Sequence, residues 1–255
     1  MTDGLQLYNG DCIEVMRQLI DQGVKVDAVI CDIPYGIHNN KFDSVIPFDE
    51  MWECINALVK TKGNVVLFAG GVFTGRLMTS NEKKFRYELV WEKSKCGSPL
   101  TAKYMPLKKH ENILVFGEPA SYYEPQMTEG KPYKRKYTPN KVNNLGYGIK
   151  GVQTDNKGTR HPTTILKFPQ NWRRQDQIHP TQKPVALMEF LVKSYCPEGG
   201  TVIDFCAGSG STGVACINTN RKFIGIELDE GYFNLMKSRL EKVILKKEQE
   251  NAIQQ

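Results

Sequence analysis

A short acidic motif near the start of the chain, Asp32-Ile33-Pro34-Tyr35, combines residue types that can act on an aromatic amino group. The lone pair of such an amine is delocalised into its ring, so acceptors must take up its two N–H bonds before it becomes a good nucleophile. The Asp32 carboxylate can accept one of them, and a backbone carbonyl of Ile33 or Pro34, fixed by the rigid proline dihedral, can accept the other. Tyr35 offers a face on which an aromatic base can stack.

A glycine-rich loop lies about 170 residues further along the chain and predicts a ligand site. Its residues 204–210 read Asp-Phe-Cys-Ala-Gly-Ser-Gly, and Glu227 follows at the end of the next apolar run. Glycines let the backbone approach a ligand closely, and a carboxylate at Glu227 can accept ribose hydroxyls. The loop alone fits NAD and S-adenosylmethionine equally well. An NAD-binding fold needs further strands after the glycines, whereas only 28 residues follow Glu227.

Alternating patterns of strands and helices predict a layered α/β fold that positions both motifs. The apolar run 26–31 is typical of a buried parallel strand, which places Asp32 at its carboxyl end. Asp11 and Glu14 have capping-box spacing and predict the start of a helix. Further strands are predicted at 64–69, 86–91, 112–116, 164–168, 201–205 and 222–226. Further helices are predicted at 48–60, after Pro184, after the glycine loop, and at the end of the chain with the buried stripe Tyr232, Met236, Leu240 and Val243.

Positive charge is concentrated in the middle of the chain, where regular patterns fade. Residues 81–160 contain sixteen Lys or Arg against eight Asp or Glu, whereas the whole chain has a net charge of +6. From about 117 to 160, Gly, Pro, Asn, Lys and Tyr dominate, which predicts an inserted segment. A local basic region is the expected footprint of a nucleic-acid surface, although a solvated lysine-rich loop fits the charge equally well.

Composition places the chain among soluble globular proteins. Hydrophobic residues make up 40% and charged residues 24%, and no run approaches the roughly 18 apolar residues of a membrane span. We therefore expect a cytoplasmic protein without membrane contact. The seven cysteines include no C-x-x-C pair, so neither a disulfide framework nor a metal site is predicted.

The order of the two motifs, catalytic first and glycine loop second, resembles the permuted β group of amino-DNA methyltransferases, the N6-adenine and N4-cytosine DNA methylases. The run His179-Pro180-Thr181-Gln182-Lys183-Pro184 just before the glycine loop extends this resemblance. Shorter matches are Trp91-Glu92-Lys93, the strand pattern of 110–116, and Arg160-His161-Pro162. The resemblance covers the chain from Leu5 to about Leu240, and departs from the family pattern at Ile33, where a first proline is usual, and at Cys206, where an aromatic is usual.

The resemblance implies a Rossmann-like sheet with helices on both faces, S-adenosylmethionine as cofactor, and a small inserted recognition region. The catalytic half is expected at 1–117, the target-recognition segment at 118–160, and the cofactor-binding half at 161–255. The resemblance assigns catalysis to Asp32, Pro34 and Tyr35. Phe205 is expected to substitute for the aromatic residue that the family usually has where Cys206 stands. The donor contacts are expected from Asp11, Cys12, Asp32, Thr181, Lys183, Asp204, Phe205, Cys206, Ala207, Gly208, Ser209, Gly210 and Glu227. DNA contacts are expected from Lys131, Tyr133, Lys134, Arg135, Lys136 and Tyr137.

These expectations define a DNA methyltransferase that acts on adenine N6, because the family's cytosine enzymes often have serine where Asp32 stands. An N4-cytosine enzyme and a DNA-binding protein with impaired catalysis stay open as alternatives. RNA and protein-amide methyltransferases usually place the acidic motif after the glycine loop, so the motif order disfavours them. Double-stranded DNA is the expected partner, and the sequence leaves open a homodimer and a cognate restriction enzyme on a separate chain.

Overall fold

A computed structural model of the protein describes residues 4–36, 44–97, 99–135, 154–170 and 182–253. The chain divides into two compact units. Unit 1 comprises Met1–Glu124 and Thr164–Gln255, and unit 2 comprises Pro125–Thr163. The segment 118–160 expected from the sequence therefore begins in unit 1 and ends in unit 2.

Unit 1 is built around one eight-stranded sheet. Its strands are β1 (Leu5–Asn9), β2 (Val26–Cys31), β3 (Val59–Ala69), β4 (Phe85–Glu92), β5 (His110–Gly117), β10 (Ile165–Lys167), β11 (Thr201–Asp204) and β12 (Lys222–Glu227). They lie in the order β1-β12-β11-β2-β3-β5-β4-β10. All neighbouring pairs are parallel except those of β5, which is antiparallel to β3 and to β4.

In the described part of unit 1, six helices cover the two faces of this sheet. They are α1 (Cys12–Asp21), α2 (Phe48–Leu58), α3 (Val72–Ser80), α4 (Val185–Tyr195), α5 (Ser211–Asn218) and α6 (Glu230–Ile253). Buried residues of α1 to α3 belong to one apolar cluster, and those of α4 to α6 belong to a second. Strand β2 alternates between the clusters, with Val29 and Cys31 in the first and Ala28 and Ile30 in the second. The predicted α/β sheet with helices on both faces is confirmed.

Most elements lie where the sequence patterns predict them, but β1 and α3 do not follow from those patterns. Strand β1 lies at the edge of the sheet, and its side chains are only partly buried, so its apolar pattern is weak. Helix α3 buries only Phe73 and Leu77 and contains Gly75, a poor helix former. No helix in the described part of the chain is both long and apolar enough to cross a membrane.

Unit 2 contains two short antiparallel ladders. Strand β6 (Thr128–Glu129) pairs with β9 (Thr159–Arg160), and β7 (Tyr133–Arg135) pairs with β8 (Thr154–Asn156). Arg160 joins the ladders, because its Nη1 donates a hydrogen bond of 2.6 Å to Asn156 Oδ1 and its guanidinium lies 4.8 Å from the Tyr133 ring centroid. The described parts of unit 2 thus have local order that rests on polar and cation–π contacts.

Candidate active site

Four carboxylates follow four neighbouring strands of the sheet in unit 1. Asp32 follows β2, Asp204 ends β11, Glu227 ends β12, and Asp11 lies two residues after β1. These strands are parallel, so their carboxyl ends meet at one edge. The chain leaves the centre in opposite directions from β11 and β2, and ligands of open α/β sheets bind at such a switch point. The sheet therefore brings the acidic motif and the glycine loop to the same edge.

Glycines give the loop after β11 its backbone shape. Gly208 and Gly210 have φ values of 50° and 72°, in the left-handed region that other residues rarely adopt. A Cβ atom on Gly210 would lie 2.7 Å from Cγ of Met236 on α6, so a side chain would collide there. Arg239, also on α6, donates a hydrogen bond of 2.8 Å to the Ser209 carbonyl. Helix α6 thus holds the loop from behind.

Asp204 anchors the same loop. Its carboxylate accepts a hydrogen bond of 3.2 Å from the Cys206 backbone N–H and one of 2.6 Å from the Thr212 hydroxyl. Burial raises the pKa of Asp204 to about 6. Ala207 and Ser209 are also buried. A ligand in this loop would therefore meet backbone atoms more than these side chains.

Glu227 holds a preorganised carboxylate at the end of β12. One oxygen accepts the Gly208 N–H at 2.7 Å, and the other accepts the Asp229 N–H at 2.9 Å. The Asn9 side chain fixes the adjacent Glu227 carbonyl with a hydrogen bond of 2.8 Å. Burial raises the pKa of this carboxyl. Each oxygen keeps a further lone pair, so the group can still accept hydroxyl donors from a ligand.

Asp11 and the cysteines line the neighbouring part of the edge. Asp11 caps α1, because its carboxylate accepts the backbone N–H groups of Ile13 at 2.9 Å and Glu14 at 3.1 Å. The predicted helix cap is therefore present. The Cys206 thiol contacts those of Cys12 and Cys31. Contact with Cys206 and burial raise the pKa of Cys12, and burial raises that of Cys31, so both are protonated thiols at neutral pH.

Phe205 does not replace the aromatic ring that Cys206 lacks. Its side chain is buried in the apolar cluster beneath α1 to α3, so it packs beneath the loop and has no free face for a ligand. The assignment of a ring contact to Phe205 is therefore corrected. Ile33, the other departure from the family pattern, has its side chain buried in the same cluster. An apolar side chain at this position contributes to the core.

Asp32 lies in a buried ion-pair network. Lys183, whose side chain is only 8% exposed, pairs with Asp32 and lies 3.3 Å from Glu111 Oε2. Lys93 pairs with the other oxygen of Glu111. The Lys183 ammonium also lies 5.0 Å from the Phe68 ring centroid. Two carboxylates and two ammonium groups thus balance one another around the acidic motif.

The charges of this network shift its pKa values. Burial raises the pKa of Asp32; the Lys183 ammonium opposes the rise and the Glu111 charge adds to it. Burial would lower the pKa of Lys183, but its two carboxylate partners raise it overall. Burial would raise the pKa of Glu111, but Lys183 and Lys93 lower it overall. Asp32 is therefore the carboxyl of this network whose ionisation is disfavoured.

Tyr35 contacts both Asp32 and the core. Its hydroxyl donates a hydrogen bond of 2.9 Å to Asp32 Oδ1, and its ring stacks on Phe73 at a centroid distance of 5.2 Å. Burial and the Asp32 charge raise the pKa of Tyr35, so its hydroxyl stays a donor. Tyr35 is thus held between the Asp32 carboxylate and the Phe73 ring.

The predicted DNA-contacting residues that the structure describes lie in unit 2 and are largely exposed. The Lys134 ammonium lies 3.3 Å from Asp155, and Arg160 covers one face of the Tyr133 ring. Lys131 accepts a hydrogen bond from Arg160 through its carbonyl, and Arg135 lies in β7. Thr181, Lys136 and Tyr137 lie outside the described residues.

Sequence reasoning gave no role to three residues that hold the site. Glu111 and Lys93 appeared only as matches to the family, and Arg239 lies in the final helix without any motif. The signal for Glu111 and Lys93 was their charge beside otherwise buried strands. Nothing in the sequence marks Arg239 among the many basic residues of α6.

The residues at this edge fit S-adenosylmethionine. That molecule carries a sulfonium and an ammonium cation together with two ribose hydroxyls, and the edge presents carboxylates at Asp11, Asp32 and Glu227. Gly210 lets the loop backbone pack closely against α6, because a Cβ atom there would collide with Met236. Among the described residues, no group of His, Cys, Asp or Glu is arranged to hold a metal ion.

This sheet, with a glycine loop and an acidic motif beside its switch point, defines an S-adenosylmethionine-dependent methyltransferase. The chain belongs to the N6/N4 DNA methylase family, whose model matches residues 26–238. The DNA adenine methyltransferase YhdJ of Escherichia coli (strain K12) is 26% identical over 92% of this chain and 82% of its own.

Solved structures, including the following two, share the fold. The protein in the crystal structure of the M1.HpyAVI–SAM complex is 25% identical in sequence to this chain. The two superpose with a TM-score of 0.65, and the match covers 92% of this chain and 98% of the other. The PvuII DNA methyltransferase, described as cytosine-N4-specific, has a TM-score of 0.67 at 16% identity, and covers 96% of this chain and 91% of its own. The fold is thus shared with an enzyme that methylates cytosine.

Proposed function

We propose that this chain transfers a methyl group from S-adenosylmethionine to the N6 amino group of adenine within a short DNA sequence. The observation that carries the proposal is the position of Asp32, which lies beside the switch point next to the strand that ends in the glycine loop. An acceptor for the amine and a site for the donor are thereby neighbours. The resemblance of the acidic motif and the adenine-specific name of YhdJ support adenine over cytosine.

The residues of the acidic motif can activate the amine without a covalent intermediate. When bound, S-adenosylmethionine supplies an electrophilic methyl group on a sulfonium. The Asp32 carboxylate accepts one N–H of the target amine, and a carbonyl of residue 33 or 34 accepts the other, which localises the lone pair. Tyr35 stacks the base, which has to leave the duplex because its amine cannot be reached inside it.

Lys183 links this chemistry to the donor site. In the structure its ammonium pairs with Asp32, whereas the family resemblance puts Lys183 near the methionine carboxylate of the donor. A donor carboxylate would compete for this ammonium and thereby release Asp32 to accept the amine. Glu111 would remain an ion-pair partner of Lys183 in both situations.

Sequencing of modified bases tests the proposed function directly. DNA from a host that expresses the wild-type chain should carry N6-methyladenine at one short sequence, and DNA from a host that expresses Asp32→Asn should not. N4-methylcytosine at a defined sequence would identify the cytosine activity instead. If the protein is folded and binds the donor but the host DNA is unmodified, the alternative of a DNA-binding protein with impaired catalysis is supported.

Glu227→Ala is expected to raise the dissociation constant for S-adenosylmethionine by about ten- to a hundredfold, because hydrogen bonds to a charged group contribute about 1.5–3 kcal/mol. The loss also frees the Gly208 N–H that orients the loop. Isothermal titration calorimetry measures the constant. Glu230→Ala removes an exposed carboxylate only three residues away and should leave it unchanged. An unchanged constant in folded Glu227→Ala would remove this residue from the donor site.

The pH dependence of turnover should respond to changes at Glu111 and at Lys93, which pair with each other in the network. Asp32 has to be ionised to accept the amine, so kcat should fall as the pH falls through its raised pKa. Glu111→Gln removes a charge that raises this pKa, so the acidic limb should move to lower pH. Lys93→Gln leaves Glu111 less neutralised, so the limb should move to higher pH. The groups facing Asp32 are Lys183, Glu111, Tyr35, Cys31 and Asp204.

The two shifts of opposite sign separate an electrostatic role from a structural one. A general loss of packing in either variant would lower kcat at every pH without moving the limb. Identical acidic limbs in wild type, Glu111→Gln and Lys93→Gln would show that Asp32 does not titrate in this range or that Glu111 does not act on it.

DNA is the substrate, and the remaining partners stay predictions from the sequence. We infer a cytoplasmic location, because the DNA of bacteria such as the source of YhdJ lies in the cytoplasm. A second copy of the chain and a restriction enzyme on a separate chain are candidates that co-purification and sedimentation would detect.

A further inference from the structure

A long loop of unit 1 joins β4 to β5 at the same edge as the acidic motif. We call its described residues, 94–97 and 99–109, the lysine loop. Its base is closed by hydrogen bonds of 2.8 Å from the Gly97 N–H to the Lys108 carbonyl and from the Lys93 N–H to the Lys109 carbonyl. It contains a short 3-10 turn, Pro99–Thr101. The described residues of the loop thus project from the sheet on a hydrogen-bonded base.

Large apolar side chains are exposed at the tip of this loop. Leu100, Tyr104 and Met105, here called the apolar tip, have exposed fractions of 92%, 85% and 58%. Scattered exposed apolar residues are normal, but several large ones in one loop indicate an interaction site. The neighbouring residue Leu107 is exposed as well.

The charge of the lysine loop has one sign. Four lysines and no acidic residue occur between 94 and 109. Lys109 pairs with Glu92 at 3.0 Å. The other three, here called the loop lysines, form no ion pair with any residue that the structure describes: Lys95, Lys103 and Lys108. A polyanion such as the DNA backbone therefore complements this surface.

The base of the loop lies beside the catalytic motif. A Cβ atom built on Gly70 would lie 2.6 Å from the Lys108 ammonium and 3.6 Å from Cε2 of Tyr35. Lys108 and the Tyr35 ring therefore flank the same glycine, and a base stacked on Tyr35 would have its flanking phosphates near this cation. The base of the loop and the acidic motif are thus neighbours.

We propose that the lysine loop is a DNA-contacting element that helps to extrude the target base. This inference rests on the proposed function and adds a surface in unit 1 to the residues predicted in unit 2. The loop lysines contact phosphates on either side of the target, and the apolar tip packs against the base step that the target leaves. Apolar wedges of this kind compensate for lost stacking when a nucleotide leaves the duplex.

The phosphate contacts are tested by the salt dependence of DNA binding. The triple variant Lys95→Gln/Lys103→Gln/Lys108→Gln is compared with wild type on a duplex that contains the mapped target, by fluorescence anisotropy at several salt concentrations. The slope of log affinity against log salt should fall by about two to three units, since each lost phosphate contact removes about 0.9. Lys237→Gln/Lys242→Gln/Lys246→Gln makes the same charge change on exposed positions of α6 and should keep the wild-type slope.

The apolar tip is tested by base extrusion. The variant Leu100→Ser/Tyr104→Ser should keep the wild-type salt slope and donor affinity. With 2-aminopurine at the target position, its fluorescence increase on binding should be smaller, and kcat should fall about tenfold, the scale of one lost base-stacking contact. Donor binding by calorimetry shows that each variant is folded.

The outcomes separate this inference from the proposed function. If wild type methylates its target but both loop variants keep the wild-type slope, fluorescence and kcat, the lysine loop does not contact DNA and the function stands. If wild type neither binds the duplex nor methylates DNA, the proposed function itself fails, and the loop inference fails with it. A reduced slope in the triple variant together with reduced fluorescence in the tip variant supports the inference.

Discussion

Replacement of Asp32 by asparagine should reduce methyl transfer by about 10²- to 10⁴-fold, the scale of a positioned group that handles protons in the transition state. Asparagine has the same shape but a weaker acceptor oxygen, so it no longer localises the lone pair of the amine. Lys183 keeps Glu111 as a charged partner in this variant, so its buried ammonium is not left without a carboxylate. The fold and the donor site should therefore survive.

A tritiated-methyl assay with saturating donor measures this loss, and calorimetry measures donor binding in parallel. Asp21→Asn makes the same chemical change at an exposed position at the end of α1 and should retain wild-type turnover. If Asp32→Asn turns over at a rate near that of wild type, Asp32 does not act on the amine. If it loses donor binding to the same extent as turnover, its role is in the donor site.

The position of Asp32 could be predicted because it depends on one local pattern. Residues 26–31 are apolar except for Asp27, and a strand buried on both faces has to be central in a parallel sheet. Its carboxyl end then lies at the edge where ligands bind, and Glu227 follows from the same argument applied to β12. The glycine loop between them needs only its own sequence to be recognised.

Glu111 could not be placed in this way because its position depends on the direction of β5. It lies near the amino end of that strand, and in a parallel strand it would be at the opposite edge from Asp32. Because β5 runs antiparallel to its neighbours, its amino end meets their carboxyl ends. An apolar run carries no information about strand direction, so the contact with Lys183 appears only in the assembled sheet.

The direction of the Phe205 side chain could not be predicted from the motif either. The family pattern usually has an aromatic residue where Cys206 stands. Phe205 is the nearest aromatic residue in the sequence, so it was predicted to replace that ring. Neighbouring residues near the end of a strand point to different sides. Phe205 therefore packs into the core, and the thiol of Cys206 meets those of Cys12 and Cys31 instead.

Replacement of Lys183 by methionine should be among the most destabilising single changes in the chain. Methionine keeps the apolar stem but removes the ammonium between Asp32 and Glu111, and the loss of one partner of a buried ion pair costs about 3–5 kcal/mol. Urea unfolding at pH 8 should show this loss as a lower free energy of unfolding. Lys237→Met, at an exposed position of α6, serves as the matched control and should change stability little.

Two further measurements show whether unbalanced carboxylates cause the loss. Without Lys183, repulsion raises the folded-state pKa of Asp32 or Glu111 above the unfolded value of roughly 4. A carboxyl with a raised pKa costs stability above that pKa, and the cost disappears as the pH falls toward the unfolded value. The deficit of Lys183→Met should therefore shrink between pH 8 and pH 5.

Adding Glu111→Gln to Lys183→Met should recover much of the lost stability at pH 8, since only one buried carboxylate remains. A deficit that is independent of pH and unchanged by Glu111→Gln would mean that Lys183 stabilises the site through packing on Phe68 and not through its charge.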